Sequence, residues 1–286
     1  MQRSLRLRQL MEEGVVIAPG VYNALFAKAV EKTGFDAIYI TGFGTAARYG
    51  YPDVGLITQT EMVQNLRHIC RATSIPVIAD ADTGYGGLTN VHRTVREFEQ
   101  AGIAGIHIED QVEQKRCGHR PNKELVSSEE MQDRIKAAVD AKTDSNFIVM
   151  ARTDAIANEG LNAALERANF YVKAGADAIF AEAITEIDQY KRFSDQLEVP
   201  LLANITEFGE TPLFSKSELY KAGVDMILYP LSAFRAMSKV AEEVYSEIFE
   251  KGTQQALVGK MQTRDELYEV LDYYTFEKKL DDVYKD

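Results

Sequence analysis

The 286-residue chain is poor in cysteine and basic charge and has no long apolar run, and each shortage excludes a class of protein. Its two cysteines, Cys70 and Cys117, provide no disulfide framework, which fits a reducing compartment. The N-terminal residues lack the apolar stretch of a signal peptide, and no run approaches the ~18 residues needed to cross a bilayer. We therefore expect a soluble cytoplasmic protein without a membrane partner.

Basic side chains are outnumbered by acidic ones, 32 against 44, so that the formal net charge at pH 7 is −12. Such a charge opposes non-specific binding to nucleic acid, and we expect no nucleic-acid partner. An anionic substrate would therefore need a pocket in which basic groups are locally concentrated.

Eight short apolar runs alternate with amphipathic helical patterns, an order typical of parallel strands joined by helical crossovers. The predicted strands are Val15–Pro19, Ala37–Thr41, Pro76–Asp80, Gly105–Glu109, Phe147–Arg152, Ala178–Glu182, Pro200–Asn204 and Met226–Tyr229. The predicted helices between them are Leu25–Thr33, Thr60–Ala72, Val91–Ala101, Glu129–Ala141, Leu161–Ala174, Ile187–Gln196 and Lys216–Ala222. No Gly-x-Gly-x-x-Gly turn follows the first strand, which favours a barrel over an open doubly wound sheet.

No linker rich in Pro, Gly or Ser divides the chain, so we expect one α/β domain over residues 1–286. It would be a (β/α)8 TIM-type barrel at about 15–250 with a helical tail at about 251–286. Further helices are predicted from Ser232 to about Phe249 and over Arg264–Tyr274. The tail is rich in aromatic residues that would be costly to expose, so we expect it to pack on another subunit.

Polar residues collect at the carboxyl ends of the predicted strands, where barrels carry their chemistry. They include Thr41, Asp80, Asp82, Glu109, Arg152, Glu182, Asn204 and Thr206. The clustered carboxylates would repel each other unless a cation neutralised them. Proteins usually hold Mg²⁺ with two carboxylates and several waters, so we expect Mg²⁺ at this site, with Mn²⁺ as a substitute. Alternatively, Asp80 and Asp82 only cap the following helix. Asp53 either joins such a metal through water or is simply a turn residue after Pro52.

The segment Lys115–Arg120, which we call the cysteine loop, concentrates basic residues around one thiol. Nearby positive charge favours the thiolate, so we expect a lowered pKa for Cys117. Gly118 lets the backbone turn sharply or approach a ligand. The alternative is a solvated basic loop that happens to hold a cysteine. His107 lies within a predicted strand and is expected to be structural.

Several long strings resemble the isocitrate lyase / phosphoenolpyruvate mutase superfamily, in the form found in the 2-methylisocitrate lyases. They are residues 107–111, 115–122, 150–154, 204–209 and 229–235. The resemblance runs over nearly the whole chain. It implies Mg²⁺-dependent cleavage of a small tricarboxylate, 2-methylisocitrate, into pyruvate and succinate in the methylcitrate cycle of propionate catabolism. It also implies a homotetramer in which a terminal helix swaps onto a neighbour.

The resemblance further implies roles for individual residues. The metal ligands would be Asp80 and Asp82, with Asp53 and Glu109 reached through water. The catalytic residues would be Cys117 as general acid, Tyr39 as a helper in deprotonation, Lys115 and Glu109. Contacts to the pyruvate-forming half would come from Thr41, Gly42, Phe43, Asp80, Arg152 and Glu182. Contacts to the succinate-forming half would come from Cys117, Gly118, Asn204, Ile205, Thr206, Arg235 and Arg264.

Three positions bear on how the substrate fits. Phe180 and Leu228 look like the pair that leaves room for the extra methyl, and Phe43 stands where the family commonly has glycine. A relative that handles phosphonopyruvate or oxaloacetate would share the metal site but lack the cysteine loop. A catalytically silent barrel would have lost carboxylates or the thiol. The presence of Cys117 argues against the first alternative, and Cys117 with the carboxylates argues against the second.

Overall fold

The computed structural model describes residues 2–284, which contain a closed barrel of eight parallel strands. In chain order, β1 to β8 are Val16–Val21, Ile38–Ile40, Val77–Asp80, Gly105–Glu109, Ile148–Thr153, Ala178–Ala181, Leu201–Asn204 and Met226–Tyr229. Each strand pairs in parallel with the next, and β8 pairs with β1 to close the barrel. The predicted TIM-type barrel and its eight strands are confirmed.

Helices surround the barrel and continue beyond it. Within the described residues, α1 to α13 are Arg3–Glu13, Ala24–Thr33, Gly42–Arg48, Gln59–Ala72, Leu88–Ala101, Ser128–Ala141, Ala155–Glu159, Leu161–Lys173, Ile187–Gln196, Lys216–Lys221, Ser232–Lys251, Arg264–Leu271 and Tyr273–Val283. A 3₁₀ turn, Gln255–Lys260, joins α11 to α12. The helix predicted over Arg264–Tyr274 is broken at Asp272, whose backbone is left-handed with φ of 56° and starts a separate helix, α13. None of these described helices is both long and apolar enough to span a bilayer.

Strand side chains divide between two apolar layers because successive residues point to opposite faces. One layer fills the barrel and includes Ile78, Met150 and Phe180, while the other packs against the surrounding helices. Leu7 and Leu10 of α1 join the inner layer, so this helix closes one end of the barrel. Burial of both faces explains why the strands read as apolar runs.

The tail is far less buried than the barrel. Helix α12 packs on α2, but none of the residues of α11 to α13 that the structure describes is fully buried. The side chains of Tyr245 and Phe249 on α11 are 71% and 91% exposed. The division into a barrel and a tail within one domain remains a prediction, and Met1 and residues 285–286 of it lie outside the described residues.

Candidate active site

A cavity of about 1340 Å³ opens at the carboxyl ends of the strands and collects most of the predicted site residues. Its lining includes Tyr39, Thr41, Phe43, Asp53, Asp80, Asp82, Lys115, Cys117, Gly118, Arg152, Glu182, Asn204, Thr206 and Arg235. Gly42 adjoins it through a bond from its N–H to Asp80, whereas Glu109 and Ile205 are buried outside the lining. Arg264 is the first residue of α12, which packs on α2. Within one chain it therefore does not line the cavity.

The carboxylates at the ends of β3 and β4 form an acidic cluster. Asp80 Oδ1 accepts the N–H of Asp82 at 2.9 Å, and its Oδ2 accepts that of Gly42 at 3.3 Å. Glu109 is fully buried, and neither of its carboxylate oxygens has a hydrogen-bond partner among residues 2–284. Burial raises the pKa of Glu109 well above its ordinary value, although Arg152 opposes this. A cluster of this kind requires a nearby cation.

Lys115 supplies one positive charge to this cluster. Its Nζ lies 2.9 Å from Asp53 Oδ1 and also pairs with Asp82, and its side chain is almost completely buried. Burial by itself lowers the pKa of Lys115, but Asp82 and Glu109 raise it well above its ordinary value. The ammonium is therefore a permanent cation among the carboxylates. No group of three or more His, Cys, Asp or Glu side chains in the described chain is arranged to hold a metal.

In the cysteine loop, Lys115 and His119 pair with carboxylates and not with Cys117, and the predicted lowering of the thiol pKa is wrong. Lys115 points to the acidic cluster, and His119 Nε2 lies 3.2 Å from Glu182 Oε1. Burial raises the pKa of the half-buried Cys117 thiol above its ordinary value of 9.0, and the opposing effects of the His119 N–H and of Arg152 do not reverse this. The thiol therefore stays protonated near neutral pH, as a proton donor must.

Beside the acidic cluster, Arg152 and Glu182 form the charged floor under the cysteine loop, and Arg152 Nε lies 3.4 Å from Glu109 Oε2. Arg152 Nη1 lies 3.2 Å from Glu182 Oε2, and its guanidinium stacks 5.0 Å from the centre of the Phe180 ring. A Cβ added at Gly118 would lie 2.4 Å from Arg152 Nη2 and 2.6 Å from Glu182 Cγ. The loop backbone thus rests directly on these two side chains, and only glycine fits there.

His107, which was predicted to be structural, supports two residues of the site from behind the cavity wall. It is fully buried, its Nε2 lies 2.8 Å from the Tyr39 hydroxyl, and its Nδ1 lies 3.7 Å from Asp80 Oδ1. Burial, with a smaller effect of Arg152, lowers the pKa of His107 to about 3, so the ring is neutral. Strand alternation could have revealed it, since His107 lies two residues before Glu109 and on the same face of β4.

Comparisons with known proteins agree on one family. Residues 7–249 match the family model described as phosphoenolpyruvate phosphomutase. A protein of Shewanella oneidensis named 2-methylisocitrate lyase is 52% identical over 282 residues, covering 98% of this chain and 97% of its own. One of the same name from Salmonella typhimurium is 54% identical over 278 residues, with 96% and 94% covered. A solved 2,3-dimethylmalate lyase, titled a PEP mutase/isocitrate lyase superfamily member, superposes with a TM-score of 0.90 at 37% identity, covering 96% of this chain and 94% of its own.

Proposed function

The chain belongs to the PEP mutase/isocitrate lyase superfamily, and from this premise we propose that it cleaves 2-methylisocitrate into pyruvate and succinate. It is a carbon–carbon lyase, and the reaction fits the methylcitrate cycle of propionate catabolism. The observation that carries the proposal is a shared cavity: the Cys117 thiol and the Asp80–Asp82 carboxylates face the same space.

Members of this superfamily generally depend on a divalent metal, and we propose Mg²⁺ for this chain, with Mn²⁺ as a substitute. The residues fit such an ion, because the donors are all oxygen and the cluster already attracts the Lys115 ammonium as a stand-in cation. Asp80 and Asp82 would hold it, with Asp53 and Glu109 reached through water. When bound, the metal polarises the substrate oxygens and lowers the pKa of the substrate hydroxyl.

Cys117 acts at the bond that breaks. The hydroxyl proton passes through Tyr39 to the acidic cluster, where Asp80 Oδ2 lies 3.4 Å from the phenol. The oxygen then forms the carbonyl of pyruvate, and the electron pair of the broken carbon–carbon bond passes to the succinate-forming half. The Cys117 thiol then gives its proton to that carbon, which completes succinate. Arg235 and the amide of Asn204, which contact the succinate-forming half, stabilise the negative charge that develops before this proton arrives. The loop over the cavity keeps water from competing with the thiol.

Tyr39 assists the proton transfers as a neutral phenol. Burial, and then the charge of Asp80, raise the pKa of Tyr39 well above its ordinary value of 10.0, so it is not a phenolate at rest. Its hydroxyl lies 3.4 Å from Asp80 Oδ2 and is held by His107. It can therefore orient the substrate or relay a proton. It does not serve as a charged base.

Substrate choice follows from the apolar wall of the cavity. Phe180 and Leu228 both line it and are each only 1% exposed. A pocket that accommodates one extra methyl discriminates by about 10- to 200-fold. We expect kcat/KM for 2-methylisocitrate to exceed that for isocitrate by such a factor, with no cleavage of oxaloacetate. Three assays check this: pyruvate release from 2-methylisocitrate, glyoxylate release from isocitrate and oxalate release from oxaloacetate. A preference for oxaloacetate would refute the proposed substrate.

The exposed tail supports assembly, and we propose a homotetramer in which a C-terminal helix packs on a neighbouring subunit. Tyr245 and Phe249 leave an apolar face of α11 uncovered within one chain. Such a swap could also bring Arg264 of one chain to the cavity of another. We expect light scattering after size exclusion to give four times the 32.0 kDa of one chain. A monomer at micromolar concentration would rule this assembly out.

A further inference from the structure

A buried ion pair contacts the cysteine loop and has no part in the reaction described above. Lys123 Nζ lies 2.7 Å from Asp154 Oδ1, and the two side chains are 1% and 0% exposed. The ammonium also donates a hydrogen bond to the carbonyl of Gly118, the residue after Cys117. A buried ion pair is weak evidence for stability, because desolvation offsets much of the attraction. Its position against the loop therefore points to another role.

Asp154 connects this ion pair to Arg152, which lines the cavity. Its carboxylate accepts hydrogen bonds from Arg152 Nε at 2.9 Å and from Arg152 Nη2 at 3.2 Å. Its own N–H donates to Asp110 Oδ1 at 2.9 Å. Burial alone raises the pKa of Asp154, but Arg152 and Lys123 outweigh it and lower the pKa below its ordinary value. Asp154 is thus a fixed negative charge between two cations.

Gly118 links the Lys123–Asp154 ion pair to the backbone beside the Cys117 thiol. Its carbonyl is held by Lys123, while its Cα lies so close to Arg152 and Glu182 that a Cβ would overlap both. Lys123 is itself anchored, since Asn158 Nδ2 donates to its carbonyl at 2.5 Å. The backbone beside the Cys117 thiol is therefore fixed from two sides.

We propose that Lys123 and Asp154 are positioning residues that hold the cysteine loop closed and set where the Cys117 thiol meets the substrate. Neither side chain lines the cavity, so both act through Gly118 and Arg152. The effect on turnover rests on the proposed lyase reaction. The effect on the loop does not rest on that reaction, because it is measured in the free protein. The loop role and the lyase reaction can therefore be tested separately.

The test is Lys123→Met, which removes the ammonium, keeps an unbranched side chain only one atom shorter, and leaves Asp154 paired with Arg152. We expect kcat to fall about 10²-fold, as for a displaced catalytic group, with KM changed less than about 3-fold. Alkylation of Cys117 by iodoacetamide in the free protein should become about 10-fold faster, since the loop opens more often. Peptide mass spectrometry separates this reaction from that of Cys70. Lys123→Arg, which restores the donor, should recover both values to within a few-fold.

The matched control is Lys136→Met, the same change at an exposed position of α6, where both readouts should match the wild type. Unchanged alkylation in folded Lys123→Met would overturn the proposal, as would faster alkylation with unchanged kcat in an active enzyme. Faster alkylation in a protein that never cleaves 2-methylisocitrate would support the loop role and refute the lyase assignment. If Lys123→Met does not fold, Asn158→Ala decides: loss of one hydrogen bond should speed alkylation about 3-fold, and no change contradicts the proposal.

Discussion

Replacement of Cys117 by serine is expected to lower kcat about 10³-fold while the dissociation constant of the product succinate changes little, because general acid catalysis typically contributes 10²- to 10⁴-fold. Serine keeps the shape of the side chain, but its hydroxyl is a far weaker acid than a thiol. The anion-binding groups, Arg152 above all, remain in place to bind the substrate. Stopped-flow or steady-state release of pyruvate gives kcat, and calorimetric titration with succinate gives the binding constant.

The matched control removes the other thiol. Cys70 lies in the outer apolar layer on α4 and has no part in the proposed reaction. Cys70→Ala should therefore keep wild-type turnover. Turnover of Cys117→Ser within about threefold of the wild type would exclude the thiol as the acid, since a loss of that size is far below a general-acid contribution. A large loss of succinate affinity would instead assign Cys117 to binding.

Replacement of Asp80 by asparagine is expected to remove metal binding and with it nearly all activity. Asparagine retains an oxygen that can accept the N–H of Asp82, so the loop after β3 should keep its form. The change removes a negative charge from the predicted ligand set, and we expect Mn²⁺ affinity to fall about 10²-fold or more. Turnover should fall at least about 10³-fold, because the metal provides several kcal/mol of charge stabilisation. Electron paramagnetic resonance of free Mn²⁺ measures the affinity directly.

Asp140→Asn is the control, because this aspartate on α6 has a side chain that is 85% exposed and should contribute to neither property. Mn²⁺ binding by Asp80→Asn with unchanged affinity would show that the cation is held elsewhere. The acidic cluster would then be a purely structural partner of Lys115.

The barrel could be read from the sequence because both faces of its strands are buried and each strand is therefore an apolar run. Helices α1, α3, α7 and α13 escaped the prediction, and the sequence explains two of these omissions. Helix α1 is rich in arginine and contributes few apolar residues, Leu7 and Leu10 among them, to the core, while Arg3 and Arg8 bond to the barrel. Helix α3 begins with Gly42 and contains Gly44, which read as a loop, and it forms because the Thr41 side chain caps its first turn.

The members of the site were predictable, but their mutual electrostatics were not. Strand ends predicted that Asp80, Arg152 and Glu182 would meet, since barrels gather such residues at one edge. The pKa of Cys117 was predicted with the wrong sign because sequence proximity does not tell where a side chain points. Lys115 is two residues from the thiol, yet its ammonium is committed to Asp53 and Asp82. Lys123 was missed for the same reason, since only the fold brings it to Asp154.

The most direct test of the account is the product balance of the purified protein with 2-methylisocitrate. With Mg²⁺ present, we predict that pyruvate and succinate appear in equal amounts at the same rate, and that chelation stops both until Mg²⁺ or Mn²⁺ is returned. Unequal products, or cleavage that continues undiminished after the metal is removed, would contradict a reaction shared between the carboxylate cluster and the thiol.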